Sequence, residues 1–276
     1  MFLASQFDQI NTATKYPSIL TYHVLGERGV LTEETSELFG DDYYVTEKIN
    51  GANSRLIIDA DYDWIVGSRE DIFWANNDRS FNPSQSIVKT IRKTISDLSG
   101  TNFADFLPEF LSGDNFIVVY GEVYGDKTIN NDFKQYGDGK NTGFRIFDVA
   151  TFSKEIVFNQ KVEQLAIWRE RNNSFFSKDL FNAFAFRSGF QSAPRLPIKS
   201  SLPKSIQDTY NWMKEIGEHT KVSLLDGHIG KAEGFIVRSE DRKKIVKIRF
   251  EDYERTFRKW ENDAHQKVKQ SSNLTT

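Results

Sequence analysis

Residues 43–56 read YYVTEKINGANSRL, and the interpretation of this stretch decides the fold. A run of β-branched and aromatic residues leads to Lys48, an Asn50-Gly51 pair follows, and a second β-rich run begins. Asn-Gly between two such runs signals a tight turn. Lys48 therefore stands where a strand hands over to a turn, a position expected to present the amine rather than pair it. The theme returns in FIVVYGEVYG (116–125), FRIFDV (144–149), AEGFIVR (232–238) and KIVKIR (244–249).

Working outward, strand character appears over 43–47, 54–60, 64–69, 115–123, 143–149, 233–238 and 244–249. Helical spacing runs through SQSIVKTIRKTISDL (84–98), where Ile87, Ile91, Ile95 and Leu98 fall on one face behind an Asn82-Pro83-Ser84 start signal. Further helices are expected near 160–171, 203–218 and 251–268. Strands interrupted by helices without regular βαβ alternation predict an α+β fold with antiparallel sheets. NNDFKQYGDGKNTG (130–143) reads as a mobile surface loop, and 187–203 as a linker or arm. The domain is expected to span 1–270, with a disordered tail over 271–276.

At 276 residues the chain has ample length for a core, and 14% aromatic content excludes a disordered polymer. The absence of cysteine removes disulfides, thiolate chemistry and cysteine zinc sites. Four histidines, at 23, 219, 228 and 265, lack metal-ligand spacing. No apolar run reaches the length of a membrane span, so the expectation is a cytoplasmic protein. A net charge of −3 argues against broad adhesion to nucleic acid, although 231–249 concentrates basic residues.

Nucleotidyl transfer through an enzyme-bound intermediate needs a nucleophile, cations around the phosphate, a carboxylate for metal and a grip on the base. Lys48 supplies the first, once desolvation or nearby cations keep it neutral. Lys247 and Arg249 alternate along a strand and share a face. Glu122 ends one strand and Glu233 begins another. In FRIFDV, strict alternation puts Arg145, Phe147 and Val149 on one face, with Ile146 and Asp148 on the other. Stacking on a base is worth about 1 to 3 kcal/mol, a role Phe147 can take. Each element alone is weak; their joint occurrence in this order is not.

These residues resemble the covalent nucleotidyltransferases, the family of polynucleotide ligases and mRNA-capping enzymes. EKINGAN (47–53) is similar to its motif I with Lys48 as nucleophile, VGSRE (66–70) to motif Ia with Arg69, VYGEVYG (119–125) to motif III with Glu122, and FRIFDV to motif IIIa with Phe147 and Asp148. EGFIVR (233–238) is similar to motif IV with Glu233, and VKIRF (246–250) to motif V with Lys247 and Arg249. Within the family, the nearest likeness is to nick-sealing phage RNA ligases and RNA-editing ligases, which carry Asn at the place of Asn53 and a basic residue at that of Arg238.

The resemblance implies an antiparallel-sheet, ATP-grasp-like nucleotidyltransferase domain with peripheral helices. It implies an ATP-dependent RNA ligase that joins 5′-phosphate and 3′-hydroxyl ends through lysyl-AMP and an adenylated 5′ end, with ATP and Mg²⁺ or Mn²⁺ as cofactors. Lys48, Asn53, Arg69, Lys247 and Arg249 would be catalytic. Glu47, Lys48, Glu122, Phe147, Asp148, Arg238, Lys247 and Arg249 would bind the nucleotide, and Glu233 would hold metal. The partner would be RNA, nicked duplex included, with a protein partner because no C-terminal OB-fold domain is expected. Asn50 departs from the family's Asp or His, and Arg249 from its second motif V lysine. The alternatives are a GTP-dependent capping-type guanylyltransferase, a DNA ligase, and a catalytically weak RNA-end-binding module.

Overall fold

The computed structural model describes residues 2–75, 86–98, 103–171, 175–198 and 201–273. In chain order the elements are α1 (Phe7–Thr14), β1 (Leu20–Thr21), β2 (His23–Leu25), β3 (Leu31–Thr35), β4 (Tyr43–Lys48), β5 (Ala52–Asp59), β6 (Trp64–Ser68), β7 (Ile72–Ala75), α2 (Ile87–Asp97), α3 (Phe103–Phe106) and β8 (Asn115–Tyr124). They continue with β9 (Gly143–Ser153), α4 (Lys154–Asn159), α5 (Val162–Arg171), α6 (Lys178–Ser188), β10 (Arg195–Leu196), α7 (Ile206–Ile216), β11 (Gly234–Ser239), β12 (Ile245–Arg249) and α8 (Phe250–Asn273). The α+β expectation is met. The chain gathers into two compact units, one of residues 1–18, 49–193 and 222–230, the other of 19–48, 194–221 and 231–276.

The first unit is built on an antiparallel sheet of order β7-β6-β5-β8-β9. One face carries Leu56, Ile58, Val66, Ile117, Val119 and Val149, and α2, α3 and α6 pack on it through residues such as Ile91, Phe106 and Phe184. Ile87 and Ile91 of the predicted apolar stripe are fully buried; the Asn82-Pro83-Ser84 signal lies outside the described residues. The other face meets α1, whose Ile10 and Ala13 are fully buried. Coverage on both faces explains why 116–121 is an unbroken apolar run rather than an alternating one.

The second unit holds the sheet β1-β12-β11-β4-β10, antiparallel except for the β1–β12 pair, and a β2–β3 ribbon. Tyr43, Val45, Phe235, Val237, Val246 and Ile248 point to one face and form a core with Trp212 and Met213 of α7 and Phe250 and Tyr253 of α8. Alternation then obliges the residues between them to line the opposite face.

Two loop expectations are corrected. The 130–143 segment is pinned, not free: Tyr136 is 1% exposed and packs with Ile49, Tyr124, Ala193 and Val222. The 187–203 arm contains β10, which adds an edge strand to β4 because Arg195 and Leu196 pair with Thr46 and Val45. In the tail, 271–273 continue α8; 274–276 lie outside the described residues.

Candidate active site

In the second unit, Lys48 closes β4 directly across from Gly234, which in turn faces Arg249 on β12. Gly234 is required here, since a Cβ at this position would stand 2.0 Å from the Ile248 carbonyl oxygen. The close approach brings Lys48 and the adjacent Glu233 together, and Lys48 Nζ donates to Glu233 Oε2 at 2.6 Å. The amine is thus ion-paired rather than merely presented, because the strand that follows the chain's long excursion begins beside it. Both side chains keep some exposure, 25% for Lys48 and 16% for Glu233.

Register places Tyr44, Thr46, Lys48, Ile236, Arg238, Lys247 and Arg249 on the face away from the core. Lys247 and Arg249 share that face as their spacing predicts. The Arg249 guanidinium makes a bidentate bond to Asp252, Nε and Nη2 each donating at 2.8 Å. Burial alone would lower its pKa, but the Asp252 bond and the charges of Asp252 and Glu233 outweigh this and hold it above the ordinary value. Arg238 is buried farther along β11. Glu47 points the other way and is buried: Thr220 Oγ1 donates to one oxygen, and the Lys221 amide to the other at 2.8 Å. Arg195 enters the polar face from β10, its guanidinium 4.5 Å above the Tyr44 ring.

In the first unit, Asn53 and Glu122 are cross-strand neighbours on β5 and β8, and Glu122 faces Arg145 on β9. Asn53 Oδ1 is buried without a hydrogen-bond partner. The register jumps between Tyr120, opposite Asp148, and Gly121, opposite Ile146, so Phe147 is an extra residue in a β-bulge. The Phe144 ring lies over Gly121, where a Cβ would be 2.3 Å from it. Strict alternation therefore fails within FRIFDV. Tyr16 touches Phe147 ring to ring at 5.1 Å and donates its hydroxyl to Asp148 Oδ2 at 2.7 Å, so these two share one face instead of opposing. Val149 joins Ile146 in the core on the other.

Arg69 lies after β6, its Nη2 on Ser18 Oγ at 2.7 Å, at the rim of a cleft of about 670 Å³ that also involves Lys15, Tyr16, Glu70 and Arg169. The Asn50 side chain is spent on the pinned loop: Asn130 Nδ2 donates to its Oδ1, and its Nδ2 donates to Asp132 at 3.3 Å. Tyr16 and Asp252 escaped sequence reasoning. Only Asp252, three residues past Arg249 at a helix start, left a local signal.

Among the described residues, no cluster of three His, Cys, Asp or Glu side chains forms a metal cage. The donor beside Lys48 is one carboxylate, Glu233. One carboxylate plus substrate phosphates is an ordinary way to hold Mg²⁺, so this donor set fits a metal carried with a triphosphate.

The family described as RNA ligase matches residues 41–257. The chain belongs to the RNA ligase family. Solved structures of the Naegleria gruberi RNA ligase are similar to it. A mutant with AMP and Mn shows 15% identity and a TM-score of 0.47, covering 76% of this chain and 50% of that one. The structure with PPi shows 16% identity and a TM-score of 0.48 over 76% and 50%. A further mutant with ATP and Mn shows 14% identity and a TM-score of 0.48 over 87% and 64%. This RNA ligase family member thus spans about half the length of the first of these structures. No curated protein matches it significantly.

Proposed function

We propose that the chain is an ATP-dependent RNA ligase that works through lysyl-AMP. The observation that carries the reading is the meeting of Lys48 with Glu233 on a strand face shared by Lys247 and Arg249, within the family-matched region. Lys48 Nζ attacks the α-phosphorus of ATP; a P–N bond forms, the bond to the bridging oxygen breaks, and pyrophosphate leaves. The AMP then passes to an RNA 5′-phosphate, and a 3′-hydroxyl attacks that end, closing the strand and releasing AMP.

Residue roles follow the resemblance. Lys247 and Arg249 neutralise the α-phosphate, Glu122 takes the ribose hydroxyls, and Phe147 stacks on adenine. Asn53, Arg69 and Arg238 act around the phosphates and the polynucleotide end. Glu233 would hold a divalent metal, Mg²⁺ or Mn²⁺, which supplies charge neutralisation when bound. For attack, the Lys48–Glu233 ion pair has to be given up and Nζ has to lose a proton, because an ammonium has no lone pair to offer. Arrival of the triphosphate near Lys247 and Arg249 supplies the competing charge. In this reading 1–270 acts as one nucleotidyltransferase domain. No helix among the described residues is long and apolar enough to cross a membrane.

The test is incubation with Mg²⁺ and α-labelled ATP or GTP. Label from ATP that survives denaturation and is lost in Lys48→Ala supports the reading. Full-stoichiometry label on Lys48→Ala, or preference for GTP, sinks it.

A further inference from the structure

Tyr16 is far in sequence from every motif, yet it sits against two of the motif residues. Its hydroxyl donates to Asp148 Oδ2 at 2.7 Å, and its ring meets Phe147 edge-on at 5.1 Å. It is 7% exposed, and the rings of Tyr120 and Phe175 also lie against it at 5.0 and 5.7 Å. A ring held on three sides, with its hydroxyl on a carboxylate, has little rotational freedom.

The segment before Tyr16 is clamped by hydrogen bonds from Tyr120 and Arg55. Tyr120 Oη donates to the Thr14 carbonyl at 2.9 Å. Arg55 is fully buried and sends Nη1 to the Asn11 carbonyl and Thr14 Oγ1, Nη2 to Asn11 Oδ1, and Nε to the Ser68 carbonyl, at 2.6 to 3.0 Å. These acceptors are all neutral, and burial lowers its pKa to about 10. A buried cation whose hydrogen bonds run to neutral oxygens, with the Glu70 and Asp71 carboxylates acting on it only through space, is a poor stabiliser but a strict locator, since any shift of α1 strands its donors. The bulge explains why a locator is useful. Phe147 is the inserted residue of that bulge, so the β8 register does not set the direction of its ring.

We propose that Tyr16, delivered by the Arg55-clamped N-terminal helix, is a positioning residue for the base-binding surface: it fixes the Phe147 ring and the Asp148 carboxylate for the incoming purine. The proposal rests on the reading of Phe147 as the base platform. It assigns the N-terminal strap to nucleotide recognition, not to fold stability alone.

The experiment uses the full chain and self-labelling from α-labelled ATP, recording the maximal rate and the ATP concentration at half-maximal rate. Tyr16→Phe keeps the ring and removes one hydrogen bond to a charged group. It is expected to raise the half-saturating ATP concentration about tenfold with the maximal rate changed less than twofold. In an Asp148→Ala background the same substitution is expected to change half-saturation less than twofold, because the carboxylate its hydroxyl acts through is gone. Inhibition by pyrophosphate, which has no base, stays unchanged. Tyr120→Phe, which frees the Thr14 carbonyl while keeping all rings, gives a smaller shift of the same kind and serves if Tyr16→Phe folds poorly. An unchanged half-saturation in both variants overturns the proposal, as does an equal effect with and without the Asp148 carboxylate or an equal effect on pyrophosphate. Absence of label on the unaltered protein removes the ligase reading itself, a failure distinguishable from these.

Discussion

Replacing Asp252 tests whether Arg249 is a held cation or a loose one. The Asp252 side chain is 1% exposed and Arg249 27%, so solvent screens the pair weakly. Two charged bonds of 2.8 Å join them, and Arg255 Nη2 donates to the same carboxylate. Asp252→Asn keeps the shape but turns one acceptor into a donor facing two guanidinium groups. Breaking a buried pair by removing one partner costs about 3 to 5 kcal/mol. The partial exposure of both arginines points to the lower end, about 3 kcal/mol. Arg249→Lys keeps the charge but cannot hold both oxygens, for a loss of about 1 to 2 kcal/mol. The double variant should then fall short of the sum by about 1 kcal/mol or more. Urea unfolding at constant m-value measures all three. Additivity within about 0.5 kcal/mol would show that the bidentate bond contributes nothing and refute the reasoning. If the clamp aims Arg249, Asp252→Asn also lowers the maximal rate of labelling by ATP at temperatures where the protein stays folded.

Gly234→Ala drives a methyl to 2.0 Å from the Ile248 carbonyl, parting β11 from β12 beside Lys48; unfolding should show a loss of about 3 kcal/mol, and a loss below 1 would contradict the close approach. His23 is 1% exposed, and its Nε2 must carry the proton because its partner is the Lys204 carbonyl, leaving Nδ1 to accept from Tyr253. Burial is the main cause of its lowered pKa. The unfolded chain therefore takes up a proton that the native state resists, and stability should fall as pH drops below about 6.5. His23→Gln should flatten that limb of a stability–pH profile measured by urea unfolding. Tyr136→Phe removes the acceptor of the Asn50 amide at 2.5 Å; hydrogen exchange at Asn50 should quicken, and an unchanged rate would mean that the loop is held by packing alone.

Much of the molecule was readable locally. Strand ends flank the functional residues because β-branched runs and Asn-Gly or Gly-Glu junctions are written in adjacent residues. The Ile87–Ile91–Ile95 stripe needed only a 3.6-residue period. The Lys247–Arg249 face needed only a period of two. The bulge at Phe147 was not readable, since nothing in FRIFDV separates a regular strand from one with an inserted residue; β8 decides it. The edge strand β10 was equally hidden, two residues long and paired with a strand about 150 positions earlier.

Sequence alone determined the α+β class, the strand that carries Lys48 and the identity of the chemical groups, because each depends on neighbours along the chain. Tertiary structure alone decided that Lys48 is ion-paired to Glu233, that Glu47 is buried, and that Tyr16 stands against Phe147 and Asp148. Partners chosen over a hundred or more residues depend on sheet register and on which faces are covered. A sequence period states which residues share a face, not what that face meets.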